Sequence, residues 1–163
     1  MNMNRESHGL VFLTIVAAIL LSLLPLPDML APLKPYWVAM VMIYWALETH
    51  DTIGLGTTFL IGLALDVFSG SPMGIHALSL VIMVFLVQRF RPRLRFFPPW
   101  QQALSVLALL VNDRVILIWV NALLGEPLPT WQYWLPPVVA LAIWPWLFLL
   151  LDRMRASARQ RSS

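Results

Sequence analysis

Apolar residues are arranged along this chain in long runs, separated by short polar or proline-rich stretches. The runs cover residues 10–24, 36–47, 53–68, 73–87, 100–124 and 134–151. The pattern predicts an all-α polytopic bundle of six short transmembrane helices. The second run is the shortest and would extend only about 18 Å as a helix, against about 30 Å of hydrocarbon. It either borrows residues from the connection before it or lies behind the other helices.

The third run carries small and polar residues at every fourth position. Gly54, Thr58, Gly62, Asp66 and Gly70 form this stripe. On a helix, the spacing places them on one narrow face, where a neighbouring backbone can approach closely. We expect a helix-packing face, with a ligand cavity as the alternative.

A short turn with Ser69, Gly70 and Gly74 follows the stripe. It predicts an antiparallel hairpin of the third and fourth helices. Asp66 either caps this turn through backbone N–H groups, forms an ion pair with Arg114, or handles a substrate or proton. We expect His76 to hydrogen-bond to the turn or to Asp66 rather than to bind a metal, since no second ligand stands at metal spacing.

A second polar site, with Asp113 and Arg114, interrupts the fifth run. The helical rise places both residues, like Asp66, about 20 Å from the inner ends of their helices. A charged group in hydrocarbon costs at least about 2.5–3.5 kcal/mol. We therefore expect a polar cluster in the outer half of the bundle, in which Asp113 and Arg114 form a structural pair more readily than a functional one.

Composition places the chain among integral membrane proteins. It has 163 residues, 60% hydrophobic and 12% charged, and no cysteine. The absence of cysteine excludes disulfides, thiolate catalysis and cysteine-ligated metals. No polar stretch between the apolar runs is long enough to fold alone, so residues 1–163 are predicted to form a single membrane domain.

Basic residues are distributed unevenly between the two sides of the predicted bundle. Eight of the eleven lie after the fourth and sixth runs. The connections on the opposite side, which follow the first, third and fifth runs, hold only Lys34. The positive-inside rule then places both termini in the cytoplasm. The connection after the fourth run is predicted to be a basic cytoplasmic loop, containing Arg89, Arg91, Arg93 and Arg95. It is expected to set topology and attract anionic lipid headgroups, with a specific cytoplasmic partner as the alternative.

Catalytic patterns are missing from the sequence. It has no serine, histidine and carboxylate set at matching depth, no phosphate-cradling glycine loop beside a strand and no paired carboxylates on one face. We expect neither an enzyme nor a cofactor or metal. Two classes remain, a scaffold that binds other membrane proteins and a small transporter or solute-binding bundle.

The segment from Gly62 to Ala77, GLALDVFSGSPMGIHA, resembles the MreD family of rod shape-determining proteins. The resemblance extends along the chain through features shared with proteobacterial members: the Lys34-Pro35-Tyr36-Trp37 opening of the second run, the acidic Asp113, the Trp100-Gln101-Gln102-Ala103 start of the fifth run and Trp144-Pro145-Trp146 before a basic tail. Arg114 departs from the family pattern, in which an apolar residue is expected.

This resemblance implies a non-enzymatic scaffold of the bacterial cell-elongation (rod) complex in the inner membrane, one that helps position peptidoglycan synthesis and maintain rod cell shape. The implied partners are the bitopic protein MreC, the filament protein MreB, and RodA with its penicillin-binding transpeptidase. Membrane lipids are also expected to bind, and nucleic acid is not. The family is in turn similar to the six-helix substrate-binding subunits of vitamin uptake transporters, so a vitamin- or solute-binding subunit is the alternative.

Overall fold

A computed structural model describes residues 3–49 and 52–161. The described residues form six α-helices and no β-strand, which confirms the predicted all-α class. The helices are α1 (Met3–Leu23), α2 (Trp37–Glu48), α3 (Leu55–Ser69), α4 (Ile75–Leu94), α5 (Pro99–Leu123) and α6 (Leu135–Arg161). Short 3-10 helices, Ala31–Leu33 and Trp131–Trp134, lie in the connections before α2 and α6.

The shortest α-helix, α2, lies at the centre of the bundle. Every residue from Val38 to Leu47 is buried, and α2 packs against α1, α4, α5 and α6. It begins at Trp37 and so borrows nothing from the preceding connection. A helix that is apolar all round is stable when it is enclosed in this way. The other helices, and not the lipid, therefore surround α2.

A hydrogen bond between buried side chains joins α1 to this central helix. The indole Nε1 of Trp45 donates to Thr14 Oγ1 at 2.9 Å. Thr14 and Ala18, one helical turn apart on α1, are both buried. Small side chains on that face of α1 leave room for the large Trp45 ring.

α3 and α4 form the predicted antiparallel hairpin, and they pack closely at Gly62. A Cβ atom added at Gly62 would lie 2.7 Å from the backbone nitrogen of Ala77 on α4, and closer still to its Cα. One turn earlier on α3, the Thr58 side chain is buried and donates to the Gly54 carbonyl at 2.9 Å. The close approach expected of a small-residue stripe therefore occurs at this crossing.

Two glycines of the stripe do not take part in the crossing. A Cβ atom at Gly54 or Gly70 would meet nothing within 4 Å. Gly54 precedes the first residue of α3 and Gly70 follows the last, so both lie outside the helix body that packs on α4. The packing interpretation is wrong at these two positions.

The helices extend beyond the apolar runs into the basic segments. α4 continues to Leu94 and contains Arg89, Arg91 and Arg93, with Arg95 directly after it. The predicted basic loop is therefore largely helical. Arginine is a good helix former, and positive charge near a helix C-terminus is favoured by the helix dipole. α6 likewise continues from the last apolar run to Arg161.

Within residues 3–49 and 52–161, three segments are long and apolar enough to cross a membrane: α4, α5 and Trp131–Arg161, which contains α6. Two shorter apolar helical segments are His8–Leu23 and Leu55–Ser69. These properties agree with a membrane protein. The six-span topology stays a prediction.

The crossing at Gly62 predicts different effects for two glycine substitutions in α3. Gly62→Ala should lower the free energy of unfolding by about 1–3 kcal/mol, because its methyl group would overlap the α4 backbone. Gly56→Ala is the matched control, since a Cβ there meets nothing within 4 Å. It should be neutral or stabilise by up to about 1 kcal/mol. Unfolding of both variants in detergent measures the difference, and equal stabilities would contradict the crossing.

Candidate functional site

The carboxylate of Asp66 caps the N-terminus of α4 from the neighbouring helix. Asp66 is fully buried near the end of α3. Its Oδ2 accepts the backbone N–H of Gly74 at 2.8 Å, and its Oδ1 accepts the backbone N–H of His76 at 3.0 Å. N–H groups at the start of a helix have no partner within the helix. Asp66 supplies that partner here, so the capping interpretation agrees with the structure.

The His76 side chain contacts the same carboxylate. Its ring Nδ1 lies 2.8 Å from Asp66 Oδ1. The carboxylate is therefore surrounded by polar groups from the start of α4, as burial of a charge requires. The expected contact between His76 and Asp66 is present.

The turn between α3 and α4 depends on two glycines with positive φ angles, 64° at Gly70 and 99° at Gly74. Ser71 N–H donates to the Asp66 carbonyl at 3.1 Å, and Gly70 N–H donates to Val67 at 3.4 Å. This is the Schellman pattern that ends a helix at a left-handed residue. The backbone of Asp66 thus helps to end α3 while its side chain caps α4.

Asp113 joins α5 to α4 at a second buried contact. The Asp113 side chain is fully buried and accepts a hydrogen bond from the hydroxyl of Ser79. Its other oxygen, Oδ2, has no hydrogen-bond partner in the described part of the chain. Ser79 was not among the predicted site residues, because a serine within an apolar run carries no distinguishing pattern.

Arg114 faces a different direction from its neighbour. Its guanidinium carbon lies 4.7 Å from the ring centre of Tyr133 and 5.7 Å from that of Tyr36. Consecutive residues on a helix do not share a face, so the expected pair of Asp113 and Arg114 does not form.

The hypothetical ion pair between Asp66 and Arg114 is also not present among the described residues. The Asp66 carboxylate instead contacts the His76 ring, at 2.8 Å. Arg114 instead packs on the two tyrosine rings. The equal depth of the two residues did not predict their contact correctly, because depth does not specify the direction in which a side chain extends from its helix.

A polar cavity of about 170 Å³ lies beside the hairpin turn. Several expected residues meet here, since Ser69, His76 and Arg114 all line it. Lys34 and Tyr36 complete its charged and aromatic lining, together with Ser22, Pro35, Leu65 and Leu117. Among these additional residues, Lys34 could have been found from the sequence, because it is the single basic residue in the connections after the first, third and fifth runs. We name this space the turn cavity.

Arg91 lies in a different polar contact, at the C-terminus of α2. Its Nε donates to the Leu47 carbonyl at 2.6 Å, and its Nη2 donates to the Glu48 carbonyl at 3.3 Å. The Glu48 side chain forms an ion pair with Arg155 of α6. One member of the basic segment thus caps the central helix, whereas Arg89, Arg93 and Arg95 are exposed.

Within the described ranges, no group of three His, Cys, Asp or Glu side chains is placed to hold a metal ion.

The fold and its polar contacts define the class: the chain is an all-helical membrane protein, with helices long and apolar enough to cross a bilayer.

The comparisons with known proteins identify the family. The family model described as rod shape-determining protein MreD matches residues 3–154. A relative named rod shape-determining protein MreD, from Haemophilus influenzae (strain ATCC 51907 / DSM 11121 / KW20 / Rd), is 32% identical over 144 residues, which cover 88% of this chain and 89% of the relative. The chain belongs to the MreD family. No solved structure matches it.

The cap predicts the outcome of a double-mutant cycle. Asp66→Asn replaces one carboxylate oxygen by an NH2 group, which cannot accept hydrogen bonds. It should lower the free energy of unfolding by about 1–3 kcal/mol, the cost of a buried donor without a partner. Combining it with Arg114→Gln should give additive effects within about 0.5 kcal/mol, because the two side chains form no ion pair. Unfolding in detergent measures all four proteins, and a coupling energy above about 1 kcal/mol would indicate a direct pair.

Proposed function

We propose that this protein is a non-enzymatic scaffold subunit of the cell-elongation machinery in the bacterial inner membrane, where it helps position peptidoglycan synthesis. The observation that carries the proposal is membership of a rod shape-determining family over nearly the whole chain. The proposed partners are an MreC-like bitopic protein, an MreB-like filament, and RodA with its penicillin-binding transpeptidase.

Exposed apolar side chains on several helices support a scaffold role. Leu60 on α3 is 66% exposed, Trp119 on α5 is 70% exposed and Trp146 on α6 is 75% exposed. In a membrane, such faces contact lipid or pack against the helix of another protein. The buried cap at Asp66 and the contacts around α2 hold these helices in a defined arrangement. The bundle can therefore present these exposed faces to partner spans in one packed arrangement.

The exposed arginines of the basic segment extend this proposal to the cytoplasmic side. Arg89, Arg93 and Arg95 are exposed at the same end of α4 as Arg91. A cluster of basic residues near a membrane attracts anionic headgroups, and it can also contact an acidic surface of a cytoplasmic protein. The transporter alternative receives no support, since the matching family and relative are both described as shape-determining.

The proposed topology predicts the location of reporter fusions. A reporter joined after Ser71 should be periplasmic, and reporters joined after Phe97 or Arg159 should be cytoplasmic, because the basic segments stay on the inner side. Paired alkaline phosphatase and green fluorescent protein fusions measure this. A periplasmic reporter after Phe97 would overturn the six-span arrangement.

The scaffold proposal predicts crosslinks in the native membrane. A photoreactive amino acid is placed at one position at a time: Leu60, Trp119 or Trp146. The position that lies on the helix face in contact with the MreC-like protein should form a covalent adduct with that protein. The exposed faces that do not bind it should yield only lipid adducts. Cells without the MreC-like protein are the control and should lose the adduct. If no exposed position on α3, α5 or α6 crosslinks to this partner, the bundle does not bind it through these faces.

A further inference from the structure

Two cavities adjoin each other at the turn end of the molecule. The turn cavity has a volume of about 170 Å³, and a shallower cavity of about 470 Å³ lies next to it. Both are lined by Lys34 and Arg114. The larger cavity is otherwise lined by the two connections around the 3-10 helices, including Pro32, Thr130 and Tyr133. Two basic side chains therefore stand where the cavities meet.

No aspartate or glutamate lines either cavity. Two buried carboxylates lie nearby. Asp66 caps α4, and Asp113 accepts from Ser79 through one oxygen, while its other oxygen has no hydrogen-bond partner among the described residues. Both carboxylates interact electrostatically with Tyr36, and Asp113 also with Arg114, but neither forms a contact ion pair with Arg114. A space that is lined by basic and not by acidic side chains favours an anion.

Hydrogen-bond donors around the turn cavity are incompletely used. Arg114 packs against tyrosine rings and has neither a hydrogen bond nor an acidic partner among the residues that the structure describes. Its guanidinium has five N–H donors. The hydroxyl of Tyr36 is buried and has no hydrogen-bond partner within residues 3–49 and 52–161. These two groups line one cavity and lack an acceptor.

Lys34 is held in place by the end of α1. Its ammonium donates to the carbonyls of Ser22 and of Leu24, the latter at 3.0 Å. An ammonium group has three N–H donors, so one is left for a ligand. Lys34 therefore has a fixed position, in which it both caps the end of α1 and lines the turn cavity.

We propose that the turn cavity binds a phosphate group, with Arg114 and Lys34 as its cationic ligands and the Tyr36 hydroxyl as a further donor. The guanidinium fork matches phosphate oxygens in a bidentate geometry, and a tetrahedral anion accepts donors that converge from several directions. Drug-sized ligands occupy cavities of about 300–1,000 Å³, so the turn cavity suits a small ionic group. The adjoining cavity leaves space for the remainder of a phosphorylated molecule.

The phosphate can belong to a lipid headgroup or to a water-soluble ion, and titration of the purified full-length protein distinguishes these sources. One titration adds inorganic phosphate against chloride at equal ionic strength, and the other adds phosphatidylglycerol to the detergent micelles. The thermal midpoint of unfolding is the measurement. A rise with inorganic phosphate identifies a soluble anion as sufficient, and a rise with the lipid alone identifies a headgroup.

Variants connect the response to the cavity. Arg114→Gln should weaken the apparent affinity by about tenfold or more, because the bidentate contact is lost. In the titration with inorganic phosphate, Arg93→Gln is the matched control, because it makes the same charge change at an exposed position far along α4 from the cavity, and it should respond like the parent protein. Tyr36→Phe keeps the ring and removes the unpaired hydroxyl, so it tests the cavity even if Arg114→Gln fails to fold.

The proposal is overturned if neither phosphate source raises the thermal midpoint of the parent protein. It is also overturned if Tyr36→Phe, together with Arg114→Gln where that variant folds, shows the same rise in thermal midpoint as the parent protein. No partner protein takes part in these titrations, so their failure is distinct from a failure of the scaffold proposal.

Discussion

The buried carboxylate of Asp66 is the interaction on which the α3–α4 hairpin depends. An unpaired charge in a membrane bundle is unfavourable. Here the backbone N–H groups of Gly74 and His76, at the start of α4, donate to the carboxylate. The same contacts set the register of the hairpin. One turn before Asp66, Gly62 meets the backbone of Ala77 so closely that a side chain would not fit. The cap and the crossing therefore act together, because a shift of one helix along the other would disturb both.

Polar contacts of this kind lie toward both ends of a core that is otherwise apolar. α2 is enclosed, and Arg91 closes its C-terminus by donating to the last carbonyls. Near the other end, polar groups surround the turn cavity, where Arg114 and the Tyr36 hydroxyl have no hydrogen-bond acceptor among the residues that the structure describes. Most buried polar groups in proteins have partners, so these unpaired donors support the proposal of a phosphate site there. The exposed side chains of Leu60, Trp119 and Trp146 do not line this cavity, so the proposed partner faces and the proposed phosphate site use different parts of the molecule.

The two polar sites show why sequence reasoning located residues better than it paired them. Asp66, His76 and the turn glycines are close along the chain, so their hydrogen bonds follow from local geometry. Asp113 and Arg114 are adjacent, yet one faces α4 and the other faces the connections before α2 and α6. Their different partners arise from the angular separation of consecutive helical residues, and the packing of α5 decides which neighbour each side chain meets.

The sequence by itself determined the helical class, the number of helices, the turn after α3 and the family. These follow from the length of apolar runs, from the backbone conformations that only glycine adopts readily, and from motifs within short segments. It did not determine the helix ends at Leu94 and Arg161, since helical hydrogen bonding continues where hydrophobicity stops. Only the tertiary structure placed α2 at the centre and brought Lys34 beside Arg114. Those contacts join distant residues, and they depend on how each helix is rotated against its neighbours, which the order of residues along the chain does not state.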